Sequence, residues 1–295
     1  MKAVVTGGAG FIGSHLTNFL IEQGLEVTVI DNLSAGKKEK VNEKAKLVVA
    51  DICDLDVITP HFTQADYVFH FAALPRVQFS IEHPVETHEA NVTGTMNVFL
   101  AAREAKVKRV VYSASSSAYG DSKVMPLHED LPASPKSPYG LHKYIGELYA
   151  RVMNEVYALP TVSLRYFNVY GPGQDPDGPY ALVIGRFLKQ KAEGKPLTVT
   201  GDGEQTRDFT HVKDVVRANW LAATSDKVGH GEVINIGAGN NISINKLAKL
   251  IGGPIEYVPA RLEPKHTLAD NKKAKELLGW SPTIIFEDGL KELLK

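Results

Sequence analysis

Short apolar segments alternate with longer amphipathic segments along the first half of the chain. Each apolar segment has the length and the continuous hydrophobicity of a strand that is buried on both faces of a sheet. The predicted strands are Ala3–Thr6, Glu26–Ile30, Lys46–Val49, Tyr67–Phe71, Arg109–Tyr112 and Thr161–Arg165. Between them, apolar positions recur at helical spacing over Ile12–Gln23, His88–Ala105 and Pro138–Glu155. This alternation predicts the α/β class with a doubly wound parallel sheet.

The pattern becomes less regular after residue 170, where residues 171–179 form a loop rich in glycine and proline. Such a loop is typical of a boundary between two units, and 295 residues exceed the usual size of one hydrophobic core. We predict a first domain over residues 1–170 and a smaller C-terminal α/β lobe over 171–295, with a strand near 233–237 returning to the first domain. The elements expected beyond the loop are helices at Leu182–Glu193, Lys213–Thr224 and Ser243–Leu250, a final helix near Asp270–Leu278, and strands at Leu197–Thr200 and Val233–Ile236.

A glycine-rich segment, Thr6–Gly13, joins the first predicted strand to the first predicted helix. Gly7, Gly10 and Gly13 recur at every third position. A tight turn and a close approach of backbone to a pyrophosphate both require residues without Cβ, and the start of the helix offers free N–H groups. A glycine cluster alone could be a mere tight turn, but here a strand precedes it and a helix follows it. The segment therefore predicts a dinucleotide site in a Rossmann domain.

An acidic residue, Asp31, ends the second predicted strand, where a carboxylate can accept hydrogen bonds from both ribose hydroxyls of the adenosine half of a dinucleotide. A carboxylate there repels a 2′-phosphate, so NAD is preferred over NADP. The alternative for Asp31 is a plain turn residue before Asn32. Asp51-Ile52 after the third strand and Ala72-Ala73 after the fourth are weaker candidates for contacts with the adenine and with the cofactor backbone.

Composition excludes several classes of protein. The 33 basic residues nearly balance the 34 acidic ones, which argues against nucleic acid as a partner. No stretch approaches the ~18 apolar residues of a membrane span. The N-terminus lacks the apolar region of a signal peptide and Cys53 is the only cysteine, so we expect a reducing, cytoplasmic compartment. Two histidines and two glutamates within residues 83–89 have no common zinc spacing, and no metal is predicted.

The candidate catalytic pair is Tyr139 and Lys143. Ser137 and Pro138 form a typical helix start. Tyr139 and Lys143 are four positions apart in the predicted helix, so they share one helix face. A phenol with a pKa of about 10 is a poor base near neutrality. We expect the nearby ammonium, the positive nicotinamide and the helix N-terminus to favour the tyrosinate, which would then accept a hydroxyl proton.

A serine-rich segment, Tyr112–Gly120, lies at the carboxyl end of the fifth predicted strand. Ligands of open α/β sheets bind at that edge. A hydroxyl group there could share a proton with Tyr139 and the substrate oxygen; the alternative is a solvated serine-rich loop.

Together these motifs resemble the extended short-chain dehydrogenases/reductases, and within them the nucleotide-sugar 4-epimerases. The resemblance covers essentially the whole chain and includes Thr6–Gly13, Asp31-Asn32, His70–Ala73, Asn91–Thr95, Tyr139/Lys143, Leu164–Pro172, Gly201–Phe209 and Leu268–Trp280. It implies Ser115, Tyr139 and Lys143 as the catalytic residues. It implies NAD contacts from Gly7, Gly10, Phe11, Ile12, Asp31, Asn32, Asp51, Ile52, Ala72, Asn91, Tyr139, Lys143 and Tyr166.

The resemblance also implies the reaction. Similar dehydratases carry Asp-Glu directly after the catalytic hydroxyl, whereas this chain has Ser116-Ser117. This difference favours C4 epimerisation through a 4-keto sugar with bound NAD. A nucleotide-sugar 4,6-dehydratase or decarboxylase of the same fold, and a non-catalytic NAD-binding module, remain as alternatives.

The resemblance further implies a UDP-sugar substrate and a homodimer formed by the helices around Asn91–Ala105 and Pro138–Glu155. The implied substrate contacts are Ser115, Ser117, Tyr139, Asn168, Arg207, Arg261, Glu263 and Thr267. Arg207 and Arg261 would bind the diphosphate, and Glu263 would replace a ribose-binding carboxylate. Thr267 falls where a tyrosine would close the space for an N-acetyl group, and segments 114–121 and 174–184 are similar to bacterial UDP-N-acetylglucosamine 4-epimerases.

Overall fold

The computed structural model describes residues 1–176, 182–260 and 264–295. Its strands are β1 (Lys2–Thr6), β2 (Glu26–Asp31), β3 (Lys46–Val49), β4 (Tyr67–His70), β5 (Arg109–Ser115), β6 (Thr161–Tyr166), β7 (Val169–Tyr170), β8 (Leu197–Thr200), β9 (Thr206–Arg207), β10 (Thr210–His211), β11 (His230–Ile236), β12 (Ile242–Ser243) and β13 (Ile255–Val258). Its α-helices are α1 (Phe11–Glu22), α2 (Leu55–Ile58), α3 (Val77–Glu82), α4 (Pro84–His88), α5 (Gly94–Glu104), α6 (Pro138–Tyr157), α7 (Val183–Ala192), α8 (Val212–Thr224), α9 (Ile244–Ile251), α10 (Lys272–Leu278) and α11 (Phe286–Leu293).

Seven strands form one sheet in the order β3-β2-β1-β4-β5-β6-β11, and every neighbouring pair is parallel. This is the predicted doubly wound α/β fold. The strand order reverses between β1 and β4, where Thr6 lies in register with both Ile30 and His70. The crevice at such a reversal, outside the carboxyl ends of the strands, is where open α/β sheets bind ligands.

Hydrophobic cores cover both faces of the sheet, because successive strand residues point to opposite faces. Val5 belongs to the core beneath α1, α8 and α10, together with Leu16 and Trp280. Its neighbour Val4 belongs to the core beneath α2, α5 and α6, together with Phe99. The helices predicted at Ile12–Gln23 and Pro138–Glu155 are the α1 and α6 of this packing, and their ends differ from the prediction by at most two residues.

The second half of the chain contributes to two separate cores. Side chains of α7, α9, α11 and β8 form a third core that includes Phe187, Leu247 and Phe286. The strand expected near residues 233–237 is β11, which pairs with β6 at the edge of the large sheet. Helices α8 and α10 also pack in the core beneath α1. The sequence does not predict that these two helices of the second half belong to the core of the first domain.

Two predicted helices differ from the structure. The stretch His88–Ala105 is divided into α4, a π-helical turn at Glu89–Thr93, and α5. The π-turn aims the amide of Asn91 at the backbone of Leu74, a tertiary contact that sequence periodicity does not reveal. The helix predicted as final is α10, but α11 follows it. The sequence does not predict α11 because Gly289, inside the helix, has a low helix propensity. The burial of Phe286 and Leu290 stabilises the helix in the folded protein.

Short strands pair β7 with β10, β9 with β12 and β8 with β13, and of these six strands only β8 is predicted from the sequence. The pairs are two to four residues long, which is too short for a periodic pattern. Within the described ranges, no helix combines the length and the hydrophobicity that crossing a bilayer requires.

Candidate active site

The glycine-rich turn after β1 is packed so tightly that side chains are excluded from it. Gly7 has a φ of +72°, and a Cβ atom on it would lie 2.6 Å from the backbone nitrogen of Ala72. A Cβ on Gly13 would lie 2.3 Å from the carbonyl oxygen of Gly7. Gly10 is less constrained, since its closest neighbour would be 3.2 Å away. Protein packing therefore requires glycine at positions 7 and 13, whereas a Cβ atom on Gly10 would meet only the Gly7 carbonyl oxygen within 4 Å.

The start of α1 presents unsatisfied donors at this turn. Gly10 is the N-cap residue and supplies no side-chain cap. The backbone N–H groups of Phe11 and Ile12 belong to the first helical turn, which has no acceptors inside the helix. Free N–H groups and the helix dipole make this position fit a pyrophosphate. The residues present therefore fit a dinucleotide in the way that the sequence predicts.

The carboxylate of Asp31 lies beside the same turn and is 8% exposed. Its Oδ2 atom accepts a hydrogen bond from the backbone N–H of Ala9 at 2.9 Å, and its Oδ1 atom accepts one from Leu33 at 2.8 Å. Asp31 thus fastens the end of β2 to the glycine-rich turn. Each carboxylate oxygen retains a second lone pair that a ribose hydroxyl can use.

The other residues predicted around the adenosine half lie at the ends of neighbouring strands. Asn32 donates a hydrogen bond from Nδ2 to Oδ2 of Asp51 at 2.8 Å. Burial raises the pKa of Asp51, but hydrogen bonds from Cys53 and Asn32 outweigh it and lower the pKa below its ordinary value. Ile52 is buried beside α5, and the backbone of Ala72 lies against Gly7. These residues form one edge of the crevice.

Two predicted cofactor residues have their polar groups engaged inside the protein. Asn91 accepts a hydrogen bond from the N–H of Leu74 at 2.7 Å and donates one to its carbonyl at 3.1 Å. The hydroxyl group of Tyr166 bonds Asn219 at 2.9 Å, and its ring stacks on Phe71. In this structure both side chains support the loops and strands around the crevice, and their contacts with a cofactor stay predictions.

Ser115 and Tyr139 meet at the carboxyl end of β5. The helix start predicted at Ser137 is present, with its hydroxyl accepting the N–H of Gly140 at 3.1 Å. This start packs against the turn after β5, where a Cβ atom on Gly140 would lie 2.8 Å from the carbonyl oxygen of Ser117, and Ser115 is near enough to Tyr139 to lower the pKa of the phenol. Ser115 is 8% exposed and also donates to the hydroxyl of Ser117 at 3.1 Å. Two of the three predicted catalytic groups are therefore neighbours at the carboxyl end of β5.

Lys143 lies on the same helix, four residues after Tyr139, and its ammonium contacts the neighbouring strand β5. Its Nζ atom donates to the carbonyl of Ser113 at 2.8 Å and lies 5.1 Å from the centre of the Tyr112 ring. Burial lowers the pKa of Lys143 to about 7, although the charge of Glu147 opposes this. Burial also raises the pKa of Tyr139, while the hydrogen bond from Ser115 and the charge of Arg76 lower it. The hydrogen bond to Ser113 fixes the position of the ammonium, and the expected stabilisation of the tyrosinate by Lys143 stays a prediction.

The predicted substrate residues of the second half converge beyond the ends of β6 and β9. The amide nitrogen of Asn168 donates to the hydroxyl of Thr267 at 3.3 Å, and that hydroxyl also accepts the N–H of Asp208 at 3.2 Å. Arg207 is 8% exposed and donates to the carbonyl of Thr206 at 2.9 Å. Asn168, Arg207 and Thr267 therefore form one cluster, although the first and the last are 99 positions apart. Arg261 and Glu263 lie outside the described residues, as do Gly178, Tyr180 and Ala181.

Sequence reasoning missed three charged residues near this site. Glu147 and Arg165 form a bidentate ion pair with N–O distances of 2.8 and 2.7 Å, and both side chains are at least 96% buried. Glu147 is four residues after Lys143, so helical spacing could have placed it on the same face. Arg76 is in the loop after β4, at the edge where ligands bind, and its position alone could have marked it.

Comparisons with known proteins agree with this geometry. Residues 3–237 match the model of the NAD dependent epimerase/dehydratase family. The chain is 40% identical over 300 residues to a putative UDP-glucose 4-epimerase of Methanocaldococcus jannaschii, covering 99% of this chain and 96% of that protein.

Two solved structures have nearly the same fold. UDP-glucose 4-epimerase of Thermotoga maritima, solved with UDP-glucose, superposes with a TM-score of 0.95 at 40% identity, covering 100% of this chain and 97% of that one. UDP-N-acetylglucosamine 4-epimerase of Methanobrevibacter ruminantium, solved with UDP-N-acetylmuramic acid, gives 0.94 at 39% identity, with 99% and 96% covered. These similarities show, in agreement with the dinucleotide turn, that the chain belongs to the NAD-dependent epimerase/dehydratase family of extended short-chain dehydrogenases/reductases.

Proposed function

We propose that the protein is a UDP-sugar 4-epimerase that inverts C4 of a hexose through a 4-keto intermediate. The observation that carries this proposal is the packing of the start of α6, which bears Tyr139, against the turn after β5, which begins at Ser115. It puts a proton acceptor and a second hydroxyl group at the edge of the sheet where the dinucleotide turn also lies. The names of the similar proteins support a UDP-sugar as the substrate.

Each residue has a defined part in this reaction. Tyr139 accepts the proton of the C4 hydroxyl, and Ser115 bonds the same oxygen and holds the phenol in place. Bound NAD would supply the hydride acceptor, and in its reduced form the hydride donor, that inversion at C4 needs. Lys143 uses one of its three N–H donors on Ser113, and the other two have no acceptor among the described residues, so they can orient the cofactor.

The sequence after Ser115 supports epimerisation over dehydration. Elimination of water across C5–C6 needs an acid and a base beside the sugar, and the residues that follow Ser115 are Ser116 and Ser117. The Ser117 hydroxyl accepts a hydrogen bond from Ser115, and neither Ser116 nor Ser117 carries the carboxylate that elimination would need. We therefore expect the ketone at C4 to be reduced back to a hydroxyl group, without loss of water from C5 and C6.

We assign binding of the UDP diphosphate to the cluster of Asn168 and Arg207. The guanidinium group of Arg207 is held at the end of β9, and a guanidinium suits phosphate oxygens. The predicted roles of Arg261 and Glu263 in the same site rest on the sequence. We further propose that Thr267, in contact with Asn168, leaves room for an N-acetyl group.

The replacement Thr267→Tyr is expected to lower kcat/KM for UDP-N-acetylglucosamine by at least about tenfold while turnover of UDP-glucose continues, because the ring fills the space of the acetamido group. The Thr267 hydroxyl also bonds Asn168 and Asp208, so a matched variant must remove these bonds without adding volume. Thr267→Val does so and is expected to affect both sugars alike. Equal losses with both sugars in Thr267→Tyr would contradict the assignment.

The proposed function is tested by incubating the purified protein with UDP-glucose, UDP-N-acetylglucosamine and dTDP-glucose without added NAD, with the products identified by NMR. We expect C4 epimers, with NAD carried through purification. Accumulation of a 4-keto or decarboxylated sugar would instead show a dehydratase or decarboxylase. Retained NAD without any conversion would show a binding module.

We also propose a homodimer through α5 and α6. Leu141 and Val152 are 45% and 40% exposed on α6 and, at a spacing of 11 residues, lie on the same side of the helix. Ile145 and Leu148 lie between them on that side and are half-buried. An apolar stripe of this length on the protein surface is typical of a helix that pairs with a partner.

The double replacement Leu141→Glu/Val152→Glu is expected to convert a dimer into a monomer, because it introduces charges into this apolar stripe. Light scattering after size exclusion measures the mass. Ile285→Glu, at a position 65% exposed outside the stripe, is the matched control and is expected to stay dimeric. A double variant that keeps the mass of the wild-type dimer would show that another face forms the interface.

A further inference from the structure

Asp208 follows β9 directly and its side chain is fully buried. Its Oδ1 atom accepts the backbone N–H of Ala238 at 2.8 Å. Its Oδ2 atom accepts the N–H groups of Gly239 at 3.0 Å and of Ala269 at 2.9 Å. Ala238 and Gly239 belong to the loop after β11, and Ala269 lies in the segment before α10. One carboxylate therefore joins the end of β9 to two segments that are 30 to 61 positions away in the chain.

The backbone of Asp208 is bonded to two of the predicted substrate residues. Its N–H group donates to the hydroxyl oxygen of Thr267 at 3.2 Å, and its carbonyl oxygen accepts the side-chain amide of Asn168 at 3.4 Å. The third residue of that cluster, Arg207, precedes Asp208 in the chain. A displacement of Asp208 would therefore displace all three residues to which we assign the substrate.

The negative charge of Asp208 is stabilised by backbone N–H groups. Burial raises the pKa of Asp208 to about 6, although the hydrogen bonds from Ala269, Ala238 and Gly239 lower it. Asparagine at this position would have nearly the same shape but only one acceptor oxygen. Its NH2 group would face the N–H of Ala238 in one orientation and those of Gly239 and Ala269 in the other. Removal of the charge therefore breaks at least one of these joins.

We propose that Asp208 is a positioning residue that fixes Asn168, Arg207 and Thr267 for binding of the UDP-sugar. The inference rests on the proposed function, in which those three residues contact the substrate. Asp208 is fully buried and both of its carboxylate oxygens are engaged, so it acts through the residues that it holds. The catalytic residues lie on β5 and α6, whereas these hydrogen bonds go to other segments. Binding of the substrate, rather than the chemical step, should therefore depend on Asp208.

The test compares Asp208→Asn with Asp214→Asn at about pH 8, where the carboxylate of Asp208 is ionised. Asp214 is 1% exposed and likewise accepts backbone N–H groups, from Thr283 at 3.0 Å and Ile284 at 3.0 Å, so it is a matched buried anchor that joins α8 to the segment before α11. Both variants should be less stable to urea. Only Asp208→Asn should raise KM for UDP-glucose and the calorimetric Kd of UDP, by about tenfold, the typical effect of one lost hydrogen bond to a charged group. Its kcat should stay near wild type, because the lost interaction serves binding alone.

A second variant, Gly237→Ala, disturbs the same join and keeps the carboxylate. The added Cβ atom would lie 2.3 Å from the Cβ atom of Ala269 and 2.9 Å from Oδ2 of Asp208. It should also raise KM, and it serves as the test if Asp208→Asn does not fold. A wild-type KM in either variant, or an equal rise in Asp214→Asn, would overturn the inference and leave Asp208 as a structural anchor only. A wild-type protein that converts no UDP-sugar would instead refute the proposed function, so the two failures are distinguishable.

Discussion

Replacing Tyr139 with phenylalanine is expected to reduce the epimerisation rate by about 10³-fold, within the range that a positioned general base contributes. The variant lacks only the phenolic oxygen, so the proton of the C4 hydroxyl has no acceptor while hydride transfer creates the ketone. The ring stays in the place that Ser80 and the helix start define, since those contacts are made by the Tyr139 backbone. Folding and cofactor content should therefore be unchanged.

A matched control variant and an assay of cofactor content show whether the loss is specific to the Tyr139 hydroxyl group. Tyr144→Phe changes a half-buried tyrosine of the same helix and is the matched control, expected to keep wild-type turnover. Turnover and NAD content are measured on the same preparations. A Tyr139→Phe protein that epimerises at a rate near wild type would exclude Tyr139 as the base and leave Ser115, or a residue of the second half, to be tested.

Replacing Gly13 with alanine is expected to abolish retention of NAD and to destabilise the protein. On helix propensity alone, alanine in α1 would gain about 1 kcal/mol over glycine. The added Cβ atom, however, would lie 2.3 Å from the Gly7 carbonyl oxygen and 2.8 Å from the Gly8 Cα atom. Both are backbone atoms, so the turn must open, and overpacking of this kind typically costs about 1–3 kcal/mol. The turn that would bind the pyrophosphate is the part that moves.

The control for this variant is Gly24→Ala. Gly24 has a φ of +81° and nothing within 4 Å of an added Cβ atom, so the change costs backbone strain of about 1–2 kcal/mol and leaves the turn intact. Urea unfolding measures the free energy of unfolding of both variants, and absorbance measures bound NAD. If Gly13→Ala kept its NAD and gained stability, helix propensity would outweigh the clash and the turn would be more adaptable than its packing indicates.

Local signals in the sequence were sufficient to predict the part of the site that fits the dinucleotide. The glycine spacing, the acidic residue that ends β2 and the capped start of α6 each depend on neighbours a few residues away, and the structure places all three as predicted. The substrate half depends on contacts such as that between Asn168 and Thr267, which are 99 positions apart. Only the resemblance to a family placed those residues together.

By itself, the sequence determined that this chain forms a doubly wound parallel sheet with a dinucleotide turn, because hydrophobic periodicity and the absence of Cβ atoms act over short distances along the chain. The position of the Lys143 ammonium was decided by the tertiary structure alone. Helical spacing places Lys143 on the same face as Tyr139, and only the fold brings the carbonyl oxygen of Ser113, on β5, within hydrogen-bond distance of the Lys143 ammonium. The direction of a long charged side chain depends on acceptors that only folding brings within reach.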